Sequence, residues 1–106
     1  MASVSATSQA AGIVEFASGS FTGDATITTV SIGFKPRWIK VFNSTDAIVW
    51  EWFEGMAATT VIKTVTAGTT TADTTSAITI DSGNKAFVLT AALAASGKAI
   101  SWVAQS

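Results

Sequence analysis

Apolar and β-branched residues recur along this chain in short runs, each closed by glycine, proline, asparagine, aspartate or serine, and no long 3.6-residue period runs through them. Alternation of period two bounded by turn residues is the signature of strands. Ile13-Val14-Glu15-Phe16 is the first such run, closed by Ser18-Gly19-Ser20, and Phe21-Thr22-Gly23-Asp24 adds a second turn signal. From Ala25 to Ile32, threonines interleave with Ile27, Val30 and Ile32. The apolar positions change parity between Ile27 and Val30, which a strict two-residue period forbids, so a bulge or bend is expected near Thr28 and Thr29. Gly33-Phe34-Lys35-Pro36 ends that strand, because Pro36 has no N–H for a ladder and biases Lys35 towards extended backbone.

The run RWIKVF from Arg37 to Phe42 places Trp38, Lys40 and Phe42 on one face and Arg37, Ile39 and Val41 on the other. Large apolar groups on both faces predict a central strand whose cations lie near its ends or lay their stems along an interface. Asn43-Ser44-Thr45-Asp46 is a turn of residues that bond their own backbone. AIVWEWFE, from Ala47 to Glu54, then sets Ile48, Trp50 and Trp52 against Val49, Glu51 and Phe53. Val61 to Val65 reads as a short strand, and the Thr/Ala-rich tract from Thr66 to Ser76 as extended chain, since β-branching disfavours helix. Ala77 to Ile80 and Lys85 to Thr90 flank the loop Asp81-Ser82-Gly83-Asn84 and predict a hairpin. Ala91 to Ala95 has helical propensity but is too short for a stable helix, and Lys98 to Gln105 is the last strand, with Ile100, Trp102 and Ala104 on one face.

About seven or eight short antiparallel strands spaced by turns predict an all-β fold, a β-sandwich or jelly-roll-like barrel. The chain has 106 residues, near the common size of one domain. Residues 13–106 are expected to form that domain, and residues 1–12, small and polar without periodicity, a flexible N-terminal arm.

Composition changes the picture at the surface. Charged residues make up 12% of the chain, about half the share of an average soluble protein, while hydrophobic residues make up 48%. Thr, Ser and Ala must therefore cover much of the exterior, and a neutral surface of short side chains favours packing against other proteins. The net charge of −1 and the lack of a basic run argue against holding nucleic acid by counterion release. No apolar stretch approaches the roughly 18–20 residues that span a membrane. The N-terminal MASVSATSQAAG has neither a positive n-region nor an apolar h-region, so no secretory signal is expected.

The chemistry expected is equally sparse. Without His, Cys or Tyr the chain lacks the commonest general base, the thiol nucleophile and the usual nitrogen and sulfur metal ligands, and it has no phosphate-binding glycine motif. No enzyme activity, cofactor or metal is expected. The nearest carboxylate pair, Glu51 and Glu54, is three apart in a strand and so on opposite faces; a glycosidase-like dyad needs Glu51 to meet Asp24 or Asp46 across strands. Solvated or ion-paired surface acids are the simpler reading, and Asp81-Ser82-Gly83-Asn84 is a plain turn rather than a Ca²⁺ loop, for want of acidic density.

Four tryptophans, Trp38, Trp50, Trp52 and Trp102, are the residues singled out. At strand spacing among β-branched neighbours they read as aromatics of the core or of a subunit interface. The alternative is a platform that stacks sugars or single-stranded nucleic acid, with Lys35, Arg37 and Lys40 near them in sequence.

Three blocks carry a family resemblance. They are Phe21-Thr22-Gly23, VSIGFKPRWIKVFNST from Val30 to Thr45, and AFVLTAALAASGKAISWVAQ from Ala86 to Gln105. In this order they resemble small virion proteins of tailed bacteriophages, in which an "F.TG" segment precedes a "GF.P..V.V.N" strand and an "ASGK.I.W.A" hairpin closes the fold. Where the last block commonly starts with Gly-Phe, this chain has Lys85-Ala86-Phe87. The resemblance implies a β-sandwich on the phage particle, made in the host cytoplasm. Its expected role is to decorate or cement the capsid head across capsomers. The alternative it leaves is a tail, baseplate or fibre module, to which exposed tryptophans would add glycan as a ligand. It also implies a viral capsid or tail protein as partner and a homo-oligomer, with a trimer favoured, and it carries over no catalytic residue.

Overall fold

In a computed structural model the described residues are 15–56, 60–74, 78–81, 83 and 85–106. They form nine antiparallel strands and no helix: β1 (Phe16–Thr22), β2 (Thr28–Ser31), β3 (Trp38–Asn43), β4 (Ile48–Phe53), β5 (Val61–Thr64), β6 (Thr70–Asp73), β7 (Ile78–Ile80), β8 (Ala86–Leu89) and β9 (Ala99–Gln105). Six make one sheet in the order β1-β9-β3-β4-β5-β6, and three make a second in the order β2-β8-β7. The fold is an all-β sandwich, as the alternation of the sequence predicts. The expected arm at residues 1–12 lies outside the described residues.

The core is the space between the sheets, and period two decides what enters it. Ile39 and Val41 of β3, Trp50 of β4, Val61 of β5, and Ile100 and Ala104 of β9 face inward from the larger sheet. Ile78, Phe87 and Leu89 meet them from the smaller one, with Phe34 and Leu93 closing the ends from loops. A side chain of this size buried in full stabilises by about 1.5–3 kcal/mol relative to exposure. The core therefore rests on β3, β4, β8 and β9.

Two local readings are corrected. Ser18-Gly19-Ser20 is not a turn: it lies inside β1, opposite Val103, Trp102 and Ser101. Glycine sits there because the Trp102 ring occupies the space a side chain would fill, with Cζ2 2.9 Å from an ideal Cβ at position 19. No bulge interrupts Thr28 and Thr29, which pair in regular register with Leu89 and Val88. The parity change is resolved by Ile27, which precedes β2 and stands exposed. A third difference is small: the strands number nine against about seven or eight, because the Thr/Ala-rich tract contributes β6.

Ala91 to Ala95 forms a turn, with Leu93 and Ala94 buried and both N–H groups donated to the Thr90 carbonyl. Gly23 is wedged against it: the Ala25 N–H donates to Ala94, the Gly97 N–H to Gly23, and a Cβ at Gly23 would meet the Ala95 carbonyl oxygen at 2.1 Å. β7 and β8 pair as expected of the segments around Asp81, whose carboxylate accepts the Gly83 N–H at 3.1 Å. Ser82 and Asn84 of that loop lie outside the described residues.

Candidate assembly surface

The smaller sheet covers the inner face of the larger one, and the outer face of the larger sheet carries side chains that no other described element covers. β3 presents Trp38, Lys40 and Phe42 there, β4 presents Val49, Glu51 and Phe53, β9 presents Val103, β5 presents Ile62 and β1 presents Phe16. Alternation forces this result, because a strand that buries Ile39 and Val41 must turn Lys40 and Phe42 outward. Phe16 is 63% exposed, Phe42 39% and Phe53 45%. Exposed apolar side chains gathered on one open face make it the candidate for contact with another molecule. A shallow open hollow of about 220 Å³ lies on it between Lys40, Phe42, Ser101 and Val103, with Trp102 beneath.

Polar groups order this face. The Trp38 Nε1–H donates to Glu51 Oε2 at 2.7 Å, a diagonal contact between β3 and β4 that fixes both side chains. Arg37 Nε donates to Glu54 Oε2 at 3.1 Å at the margin of the sheet. At the other end of the hairpin, buried Asn43 accepts the N–H groups of Thr45 and Asp46 and donates to Asp46, which also receives Lys98 Nζ at 3.2 Å. The Ala99 N–H bonds Thr45 Oγ1 and the Thr66 hydroxyl bonds the Asp46 carbonyl, so this turn anchors β9 and the β5–β6 connection as well. The cradle of β3 and β4 is thus held rigid at both ends.

The four tryptophans divide between the faces. Trp50 is buried in the core, with its ring under Lys63 at 5.9 Å, and its Nε1 has no hydrogen-bond partner among the described residues. Lys63 also lies 3.9 Å from Asp73. Trp52 and Trp102 are half-buried and pack on the core, Trp102 edge-on to Phe87 at 5.4 Å between centroids. Trp38 is half-buried on the open face. Trp50 therefore offers no ring to a ligand, and Trp38 is the tryptophan on the open outer face. The residues not singled out from sequence are Phe16, Phe42 and Phe53; the strand parity already placed Phe42 with Trp38 and Phe53 with Glu51, and this outward set was the available signal.

The carboxylates stand apart. Glu51 bonds Trp38, Glu54 bonds Arg37, Asp46 bonds Asn43 and Lys98, and Asp24 bonds Thr26. The Thr26 hydroxyl, and after it the Thr26 N–H, hold the Asp24 carboxyl below the ordinary carboxylate range. Among the described residues no three His, Cys, Asp or Glu side chains come together as a metal site, and no helix is long and apolar enough to cross a membrane. In the comparisons with known proteins, no family model matches the chain, no curated protein matches its sequence and no solved structure matches its fold.

Proposed function

We propose that this chain is a non-catalytic structural module of a bacteriophage particle, a capsid decoration or cement protein that stabilises the head by binding across capsomers. The observation that carries the assembly part is the open face of the larger sheet, with Phe16, Phe42 and Phe53 exposed on a surface poor in charge. Burying such surface against neighbours couples unfolding of the module, or bursting of the shell, to the loss of those contacts. The phage part is supported by the resemblance of the blocks around Phe21, Val30 to Thr45, and Ala86 to Gln105.

Purified phage particles from cells that carry the gene, separated into heads and tails and probed with antibody to this chain, test the reading. Labelled heads are expected. Label confined to tails replaces the head assignment with a tail, baseplate or fibre role, and absence from both overturns the virion reading.

A further inference from the structure

The open face of the six-stranded sheet is complementary to itself about a line that runs between β3 and β4. These are the two middle strands of the order β1-β9-β3-β4-β5-β6, and Lys40 and Glu51, paired across them, are the middle outward residue of each. When a second copy is turned over on that line, β3 lies over β4 of the other copy, β9 over β5 and β1 over β6. The strand registers then fix what meets what. Lys40 faces the partner's Glu51, Trp38 the partner's Phe53, Phe42 the partner's Val49, and Val103 the partner's Ile62. Small side chains meet small ones, Ser101 over the partner's Thr64 and Ser18 over the partner's Ala72.

We propose that this face binds a second copy of the same chain, as an isologous twofold pair stacked sheet on sheet. The pairing deepens the assembly reading and rests on it only in that the chain works by assembling; it holds for head or tail alike and stands in place of the trimer that the resemblance implies. Charge complementarity is the first reason. Among the described residues Lys40 has no ion pair, and covering an unpaired ammonium with an apolar partner is costly. The twofold supplies a carboxylate to each of the two lysines, and Glu51, already oriented through Oε2 by Trp38, has no further hydrogen bond among the described residues to hold Oε1 from the ammonium.

Area is the second reason. Six strands spaced about 4.8 Å apart and roughly 20 Å long make a face of on the order of 500–600 Å² per copy. Two such faces bury on the order of 1,000–1,200 Å², at the threshold for specific association. The hollow beside Phe42 and Val103 comes to lie opposite the partner's Val49 and Ile62, so apolar side chains meet it from above. Aligned sheets that pack face to face stack at about 10 Å with their strands within about 30° of one another.

Sedimentation velocity over a concentration series decides the question on the full-length chain, with Lys40→Glu, Glu51→Lys and the double exchange beside the wild type. The expected wild-type species is a dimer. Each single change sets like charges against each other twice across the twofold and weakens association by roughly tenfold or more, while the double exchange restores it. Far-UV circular dichroism of each variant reports the fold, and the wild-type stoichiometry decides without any variant. A monomer at all concentrations, a trimer, or a dimer indifferent to the charge changes overturns the pairing. A monomer found on phage heads would overturn it while leaving the virion reading standing; a charge-sensitive dimer absent from every particle would support it and sink that reading.

Discussion

The indole of Trp102 lies across Gly19 on the neighbouring strand, so close that a Cβ there would stand 2.9 Å from Cζ2 and 3.0 Å from Cε2. The same ring meets Phe87 of the opposite sheet edge-on. One contact therefore joins β1, β9 and β8, and with them both sheets. A missing side chain on one strand makes room for a large one on the next, the way a strand glycine is usually compensated.

Gly19→Ala is expected to push this ring off Phe87 and to destabilise by about 1–2 kcal/mol, the ordinary cost of overpacking. For a chain of this size that lowers Tm by roughly 4–10 °C. Thermal unfolding followed by tryptophan fluorescence checks both effects. An unchanged Tm and an unchanged emission spectrum would show that the ring is free to give way.

Gly23→Ala is expected to cost more, about 3 kcal/mol or above, because the obstacle is backbone. The Ala94 and Ala95 carbonyl oxygens lie 2.6 and 2.1 Å from the added Cβ, and Gly23 also bonds Lys98 and Gly97. The turn after β8 and the entry to β9 must shift together. Chemical denaturation should show a lower midpoint than for Gly19→Ala; a smaller effect would place the strain elsewhere.

Asp24 supplies a pH dependence of known sign. Its folded-state pKa is depressed, chiefly by the Thr26 hydroxyl, so its contribution is present above the unfolded-state pKa and is lost as pH falls through the folded one. The group is fully solvent-exposed, so the effect on stability is small and the titration itself is the better readout. Carbonyl-detected NMR should find the Asp24 midpoint below that of an ordinary aspartate, and Thr26→Val should raise it. A midpoint indifferent to Thr26→Val would assign the shift to another cause.

Much of this fold is legible in the alternation of β3, β4 and β9, because a buried face next to an outward one leaves a strict period of two. Ile39 and Val41 go in, Trp38, Lys40 and Phe42 go out, and Trp102 shares a face with Ile100 and Ala104. Gly19 shows where local reading stops. Ser18-Gly19-Ser20 has turn chemistry, and what keeps it in a strand is a ring more than eighty residues away in sequence. Ile27 failed for a related reason: its parity belongs to no strand, since β2 begins after it. The insertion of β9 between β1 and β3 is a long-range pairing that no local period encodes, and it decides which outward residues share one surface.

On our proposal the outer face around Lys40 and Glu51 is an assembly surface. Hydroxyl-radical footprinting of dilute and concentrated protein reads it residue by residue. Trp38, Phe42 and Phe53 should lose reactivity as the concentration rises, while Ile27, 71% exposed and away from this face, keeps its own. Equal reactivity of those three aromatics at every concentration would contradict the account.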